Sequence, residues 1–273
     1  MNNMLLRAIT GSVFVAIVVA CVMHSPLALN GLLWLFGVLC LSEYFNWYKN
    51  NYRRNILTLA ILLGSLLLTY TLSCVQSPGY WSFWPLLLLS FPILAIGTLY
   101  APSGSFLTFV SKSLLGWFII IVPLLCISLL QAESYIHSYY YVLLFFVTMW
   151  VNDTGAYLSG RAFGKKPLFP RISPKKTWEG LIGGIILSLI AAVVSAHYLG
   201  KQQYLFDIGF VGVIALTGTY GDLVESALKR ELNMKDSGKM LPGHGGILDR
   251  LDGVLLAAPF AFTYYYFCSL IVR

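Results

Sequence analysis

Residues Ser226 to Asp252 read SALKRELNMKDSGKMLPGHGGILDRLD, a short polar island set between two apolar runs of membrane length. About 20 consecutive apolar residues cross a bilayer, so an island placed here is a surface connection between membrane helices. It gathers Lys229, Arg230, Lys235, Lys239 and Arg250 with Glu231, Asp236, Asp249 and Asp252, around a Gly-His-Gly-Gly turn at Gly243 to Gly246. Cations, carboxylates and bare backbone amides together suit a site that handles a metal and phosphates.

Just upstream, Asp222, Ser226 and Lys229 or Arg230 recur at i, i+4 and i+7 or i+8, which puts them on one helical face. Asp249 and Asp252 share a face only if the following helix has begun by Asp249, a start the sequence leaves open. Between them and the first helix, Pro242-Gly243 and Gly245-Gly246 interrupt any helix and let the chain turn back. The expected unit is helix, basic loop, glycine turn, helix, with carboxylates at both mouths. A carboxylate pair from two elements, such as Asp222 and Asp249, can hold a Mg²⁺ that also takes phosphate oxygens and waters. Bringing two phosphate-bearing reactants together costs about 4 kcal/mol per unit charge pair near ~4 Å at an effective dielectric of ~20, a repulsion that metal and Lys/Arg must offset. A phosphate nucleophile is already ionised at neutral pH, so positioning and electrostatics suffice and His244 need not be a strong base.

Outward from the island, the 273-residue chain is 58% hydrophobic and 11% charged, with mean hydropathy +0.76. These values exclude a soluble globular domain. Spans are expected near 5 to 23, 27 to 46, 56 to 74, 81 to 100, 113 to 131, 139 to 160, 180 to 199, 208 to 228 and 252 to 272, about nine in all. With the N-terminus in the cytoplasm, all of the 18 Lys and Arg residues except Lys201 and Arg273 fall inside. The positive-inside rule therefore predicts N-in and C-out. The net charge of +7 then faces anionic lipid and nucleotide, and no soluble basic surface exists for nucleic acid. Arg7 followed by an apolar run, with Val18-Val19-Ala20-Cys21, imitates a processed leader, but many later spans make residues 5 to 23 the first helix. Cys21, Cys40, Cys74, Cys126 and Cys268 lack metal or disulfide spacing and read as small core residues.

Of the 11 acidic residues only Glu43 and Glu133 precede Trp150. Glu43, followed by Tyr44, Trp47 and Tyr48, reads as an interfacial residue in an aromatic belt. The expected organisation is an N-terminal transmembrane region, 1–138, and a C-terminal catalytic region, 139–273, with polar loops at 161–179 and 229–251. Asp153, Tyr157 and Arg161 form an i, i+4, i+8 stripe, and an Asp at membrane depth must face a partner or a cavity. Taken alone, the basic loop from Arg161 to Lys176 is a topology marker touching headgroups. Beside the second polar loop on the same membrane face, its Lys175 and Lys176 are assigned to phosphate. Ser173, Thr177 and Glu179 are candidate caps of the next helix. Gly218 and Gly221 permit close approach to a helix or a ligand.

The strings Ser226 to Arg230, Lys235 to Gly238 and Leu241 to Asp252 resemble the signature of the phosphatidate cytidylyltransferases, the CDP-diacylglycerol synthases. The resemblance extends back through Asn152 to Tyr157, Gly160-Arg161, Phe163 to Lys165 and Ser173 to Gly180. Over residues 1 to 140 it is only that of a multi-span segment. It implies an all-α polytopic membrane enzyme that joins CTP to phosphatidic acid, giving CDP-diacylglycerol and pyrophosphate. On this resemblance Asp222 and Asp249 are the metal ligands, and Ser226 and Lys229 lie beside the substrate phosphates; these four are the expected catalytic set. Substrate contacts are expected from Asp153, Lys175, Lys176, Arg230 and Lys235. Asp236, His244, Gly245, Gly246 and Arg250 complete them. Mg²⁺ is the expected cofactor, with a second cation and a homodimer left open, and membrane lipids are the other partners. The expected location is the inner membrane, if bacterial, with the site facing the cytoplasm. Two alternatives stand beside it: a CTP-dependent lipid-alcohol kinase, and a cation-coupled transporter whose ion would sit on Asp153, Asp222 and Glu225.

Overall fold

Ser25-Pro26 divides the apolar N-terminal run into two helices, α1 (Asn3–His24) and α2 (Pro26–Asn46). Ser25 is extended, its Oγ accepts the Ala28 N–H at 3.1 Å, and Pro26 takes the first helical turn, where its missing donor is harmless. The computed structural model describes residues 3–47, 111–112, 114–133, 139–198, 204–234, 236–238, 240 and 245–272. The expected spans near 56 to 74 and 81 to 100 lie outside them, as do Cys74, Lys235, Lys239, Gly243 and His244. Contacts divide the chain into one unit of residues 1–132 with 236–250 and a second of 133–235 with 251–273.

In the first unit, Phe14 of α1 and Phe36 of α2 stack with centroids 5.5 Å apart, and Val18, Val22, Leu29 and Leu33 are buried. A π-helical turn, Trp117–Ile121, leads into α3 (Val122–Glu133). Two polar contacts join distant segments: Ser128 Oγ donates to Asn30 Oδ1 at 2.7 Å, and Tyr44 Oη donates to the Lys112 carbonyl at 3.1 Å. Glu43 corrects the interfacial expectation, because it is 2% exposed and accepts three hydrogen bonds from residues 237, 247 and 248. Those donors lie about 200 positions downstream, beyond the reach of local pattern.

The second unit is built on α4 (Tyr140–Phe163), α5 (Trp178–Tyr198), α6 (Tyr204–Glu231) and the body of α7 (Leu248–Val272). Between α4 and α5 the loop is not plain coil. Strands β1 (Pro167–Phe169) and β2 (Ser173–Thr177) pair antiparallel, an addition to the all-α expectation. The hairpin is clasped at its base. Trp178 N–H donates to the Lys166 carbonyl at 3.0 Å, and Glu179 Oε2 accepts the Lys165 and Lys166 N–H groups at 3.1 and 3.3 Å. Thr177 caps α5, its Oγ1 accepting the Gly180 N–H at 3.1 Å; Ser173 lies in β2 and Glu179 serves the loop instead. Leu168 of the hairpin packs with Leu181 and Leu223, with Ile172, Ile185 and Tyr220 around them. At the other end of the unit, Tyr140 Oη donates to the buried Asp207 carboxylate at 2.8 Å inside a cluster of Tyr141, Phe206 and Tyr265.

Among the described residues five helices are long and apolar enough to cross a membrane: Pro26–Asn46, Leu114–Gln131, Trp178–Tyr198, Tyr204–Glu231 and Leu248–Leu270. The chain is therefore a helical membrane protein. Ile182, Ile186, Ile190 and Val193 leave one side of α5 apolar and exposed, the surface a lipid tail solvates. Among the described residues, Cys40 and Cys126 are buried and Cys21 and Cys268 are partly buried.

The α4–α5 crossing depends on glycine. A Cβ on Gly184 would lie 2.7 Å from Asn152 Oδ1 and 2.8 Å from the Asn152 carbonyl, whose backbone cannot yield cheaply. Gly184→Ala is predicted to destabilise by about 1–3 kcal/mol, the usual cost of overpacking. Gly212→Ala, whose Cβ meets nothing within 4 Å, should leave stability unchanged or raised. Thermal unfolding in detergent checks both, and equal midpoints for the two variants would remove the packing account.

Candidate functional site

The cleft of the second unit is assembled from α4, the hairpin, α5 and α6. Its volume is about 450 Å³, and its polar lining is Asp153, Tyr157, Arg161, Lys175, Lys176 and Asp222, with Thr177 and Thr219. The helical stripe on α4 supplies the first three, since i, i+4 and i+8 share a face. Arg161 Nη1 donates to Tyr157 Oη at 3.4 Å, one turn back. The hairpin carries Lys175 and Lys176 inward from β2. Lys176 Nζ forms an ion pair with Asp222 Oδ2 and donates to the Thr219 carbonyl at 3.5 Å. Ser226 Oγ donates to Asp222 Oδ1 at 3.2 Å, so both oxygens of this carboxylate are engaged. Behind the cleft, Asn152 Nδ2 donates to Thr219 Oγ1 at 3.2 Å and fixes α4 against α6.

Further acidic groups border it. Asp252 is an electrostatic neighbour of Asp222, then of Glu225 and Asp153. It is brought in by Gly221, where a Cβ would meet the Asp252 carbonyl at 2.7 Å and the Gly253 Cα at 2.9 Å. Lys229 is 7% exposed, and its Nζ donates to Glu225 Oε2 at 2.9 Å, a buried i, i+4 ion pair on α6. Arg230 is exposed and donates through Nη1 to the Met234 carbonyl at 3.0 Å, closing the end of α6.

In the first unit the signature loop returns to the start of α7, which begins at Leu248 and so contains both Asp249 and Asp252. Asp249 accepts the Ser237 N–H at Oδ1 (3.0 Å) and Oδ2 (2.9 Å), and the Gly246 N–H at Oδ2 (2.8 Å). A carboxylate offers about four acceptor sites, so with three taken Asp249 can give a cation at most a monodentate contact. Gly245 has φ of +81°, a left-handed conformation that favours glycine, and a Cβ there would meet Asp249 Oδ2 at 2.6 Å. Asp236 and Arg250 are exposed, and Gly246 is buried.

Asp153, Lys175, Lys176 and Asp222 are thus brought into one cleft, with Ser226 on the Asp222 carboxylate. Asp222 belongs to the second unit and Asp249 to the first. Thr177 and Thr219 line the cleft without having been assigned to it from the sequence, whereas Glu225 and Asp252, both named there, lie beside Asp222. Asp252 was visible as the final residue of the motif, three after Asp249.

A model of the cytidylyltransferase family matches residues 5–268. Over 148 residues the chain is 44% identical to a phosphatidate cytidylyltransferase of Haemophilus influenzae, covering 50% of this chain and 51% of that one. It is 47% identical over 121 residues to a phosphatidate cytidylyltransferase of Staphylococcus haemolyticus, covering 44% and 46% of the two chains. A third, from Staphylococcus saprophyticus, is 44% identical over 128 residues, covering 46% and 49%. The matched segment thus spans about half the length of these relatives.

The Lys229–Glu225 pair separates folding from chemistry. Lys229→Met removes the ammonium from beside Glu225, which is 6% exposed, and breaking a buried pair from one side costs about 3–5 kcal/mol. A large fall in thermal midpoint is expected, with recovery in Lys229→Met/Glu225→Gln. An unchanged midpoint in the single variant would show that the ion pair contributes little.

Proposed function

Because the chain belongs to the cytidylyltransferase family, we propose that it transfers the cytidylyl group of CTP to phosphatidic acid, giving CDP-diacylglycerol and pyrophosphate. The observation that supports this most is the cleft in which Lys175, Lys176 and Arg161 stand beside Asp222 and Asp153. Of the helices forming it, α5 has an exposed apolar side. Such a cleft suits a reactant with a lipid tail and a second reactant from water, each bearing phosphate. The names of the three relatives point to the same substrate pair.

In the proposed step a phosphate oxygen of phosphatidic acid attacks the α-phosphorus of CTP. A new P–O–P linkage forms, the bond between the α-phosphorus and its bridging oxygen breaks, and pyrophosphate leaves with the electron pair. The attacking phosphomonoester is ionised at neutral pH, so no side chain has to remove a proton. Lys175, Lys176 and Arg161 hold the phosphates against their mutual repulsion and stabilise charge on the departing pyrophosphate. Ser226 orients Asp222.

Mg²⁺ fits these donors. It binds through one or two carboxylates plus waters and substrate phosphates, and so does not require a cage of three His, Cys, Asp or Glu side chains, a grouping not found among the described residues. Asp222 Oδ2 already receives a cation, the Lys176 ammonium. Asp222 and Asp249 are each proposed as a ligand. When bound, the ion supplies charge neutralisation on the nucleotide phosphates. We place the N-terminus and both polar loops in the cytoplasm and the C-terminus outside, with about nine spans, on the strength of the charge asymmetry.

The test is purified protein in detergent with phosphatidic acid, Mg²⁺ and radiolabelled CTP, following label in the lipid phase and pyrophosphate. Labelled CDP-lipid with equimolar pyrophosphate is expected, and Lys176→Met, Asp222→Asn or Asp249→Asn should each lower turnover by about 10²-fold or more in folded protein. CDP release with phosphate on an added lipid alcohol would instead identify a kinase. Folded protein that makes no nucleotide-dependent product would refute nucleotidyl transfer and leave transport to be assayed.

A further inference from the structure

Glu43 is a buried carboxylate on α2, far in sequence from every motif, and the proposed chemistry assigns it no task. Both of its oxygens bind the signature loop. Oε1 accepts the Ile247 N–H at 3.0 Å, while Oε2 accepts the Leu248 N–H and the Ser237 hydroxyl, each at 3.0 Å. One turn later, at the residue that caps the helix, Trp47 Nε1 donates to the Ser237 carbonyl at 2.9 Å. Residues 43 and 47, at helical i and i+4, therefore grip Ser237 at two points.

Ser237 carries that grip to Asp249. Its N–H donates to both Asp249 oxygens, and its Oγ accepts the Asp249 N–H at 3.3 Å. The start of α7 is consequently accounted for donor by donor: Gly246 N–H goes to Asp249, Ile247 and Leu248 to Glu43, and Asp249 to Ser237. Helix starts leave such groups without intrahelical partners, and here two come to a carboxylate from another helix. Two glycines make room for it. A Cβ on Gly238 would lie 2.6 Å from Glu43 Oε1, and one on Gly246 would overlap Ser237 Oγ and Glu43 Oε2.

We infer that Glu43, with Trp47, is a positioning residue that sets the orientation of the Asp249 carboxylate through Ser237 and the first turn of α7. The N-terminal helices thereby take part in the chemistry of the C-terminal motif. Gln in place of Glu43 keeps the shape, but its amide NH₂ faces donors where an acceptor oxygen is required. Asp keeps the charge but draws it back by one methylene.

The inference rests on the assignment of Asp249 to the proposed reaction, and the test separates the two. Glu43→Gln, Glu43→Asp, Asp249→Asn and the double variant Glu43→Gln/Asp249→Asn are made in the full chain. Amide hydrogen exchange over 236–250 is compared with exchange over 204–231, and kcat and KM for CTP are measured. Glu43→Gln is expected to speed exchange in 236–250 while leaving 204–231 unchanged. It should lower kcat by about 10–100-fold, the usual effect of removing a partner behind a ligating group, with KM for CTP nearly constant. Glu43→Asp should recover part of that loss. The double variant should be no slower than Asp249→Asn, since both changes act on one group. Wild-type exchange in Glu43→Gln would overturn the inference, as would losses that multiply in the double variant. If the unaltered chain proves inactive in cytidylyl transfer, the function fails on its own, and local exchange still decides whether Glu43 holds the loop.

Discussion

A carboxylate inside a helical membrane protein must find donors or a counter-charge, because an unpaired charge in that environment is more costly than any single packing contact can offset. This constraint organises the molecule. Glu43 answers it with two backbone amides and a hydroxyl, Asp207 with a tyrosine, Glu225 with Lys229 and Asp222 with Lys176 and Ser226. Each solution ties together segments remote in sequence or consecutive turns of one helix. Some of these polar groups thereby join distant segments, while others brace a single helix.

Two kinds of device serve different ends. The Lys229–Glu225 pair is shielded from solvent and spans one turn of α6. The Lys176–Asp222 pair is more open, with side chains 28% and 38% exposed, and lies in a cleft. Solvent screening makes an exposed pair weak, so its partners can exchange one another for a ligand at small cost. That contrast separates a charge pair open to solvent from one closed within a single helix.

Much of this was legible in the sequence. Helical spacing placed Asp222, Ser226 and Lys229 on α6, and the stripe from Asp153 to Arg161 predicted the wall of the cleft. Thr177 read correctly as a helix cap because capping is local. Glu43 was misread because its donors arrive from the other end of the chain, and only aromatic neighbours were in view. The hairpin escaped notice since Ser173-Pro174-Lys175-Lys176-Thr177 has no apolar alternation and only Thr177 as a β-branched residue to announce a strand. Its pairing is imposed by the clasp at its base. The start of α7 could not be dated from the string alone, because its capping groups are Glu43 and Ser237 rather than an adjacent residue.

The clasp on the hairpin has a kinetic consequence. With Glu179 holding the amides of Lys165 and Lys166, and Trp178 bonded back to Lys166, both ends of the basic segment are fastened before any ligand arrives. The ordering entropy of its backbone is then met once, during folding, rather than at each turnover. An anion approaching Lys175 and Lys176 meets a preformed arm, so its capture is governed by encounter and long-range attraction, which respond to ionic strength, and not by a slow loop rearrangement.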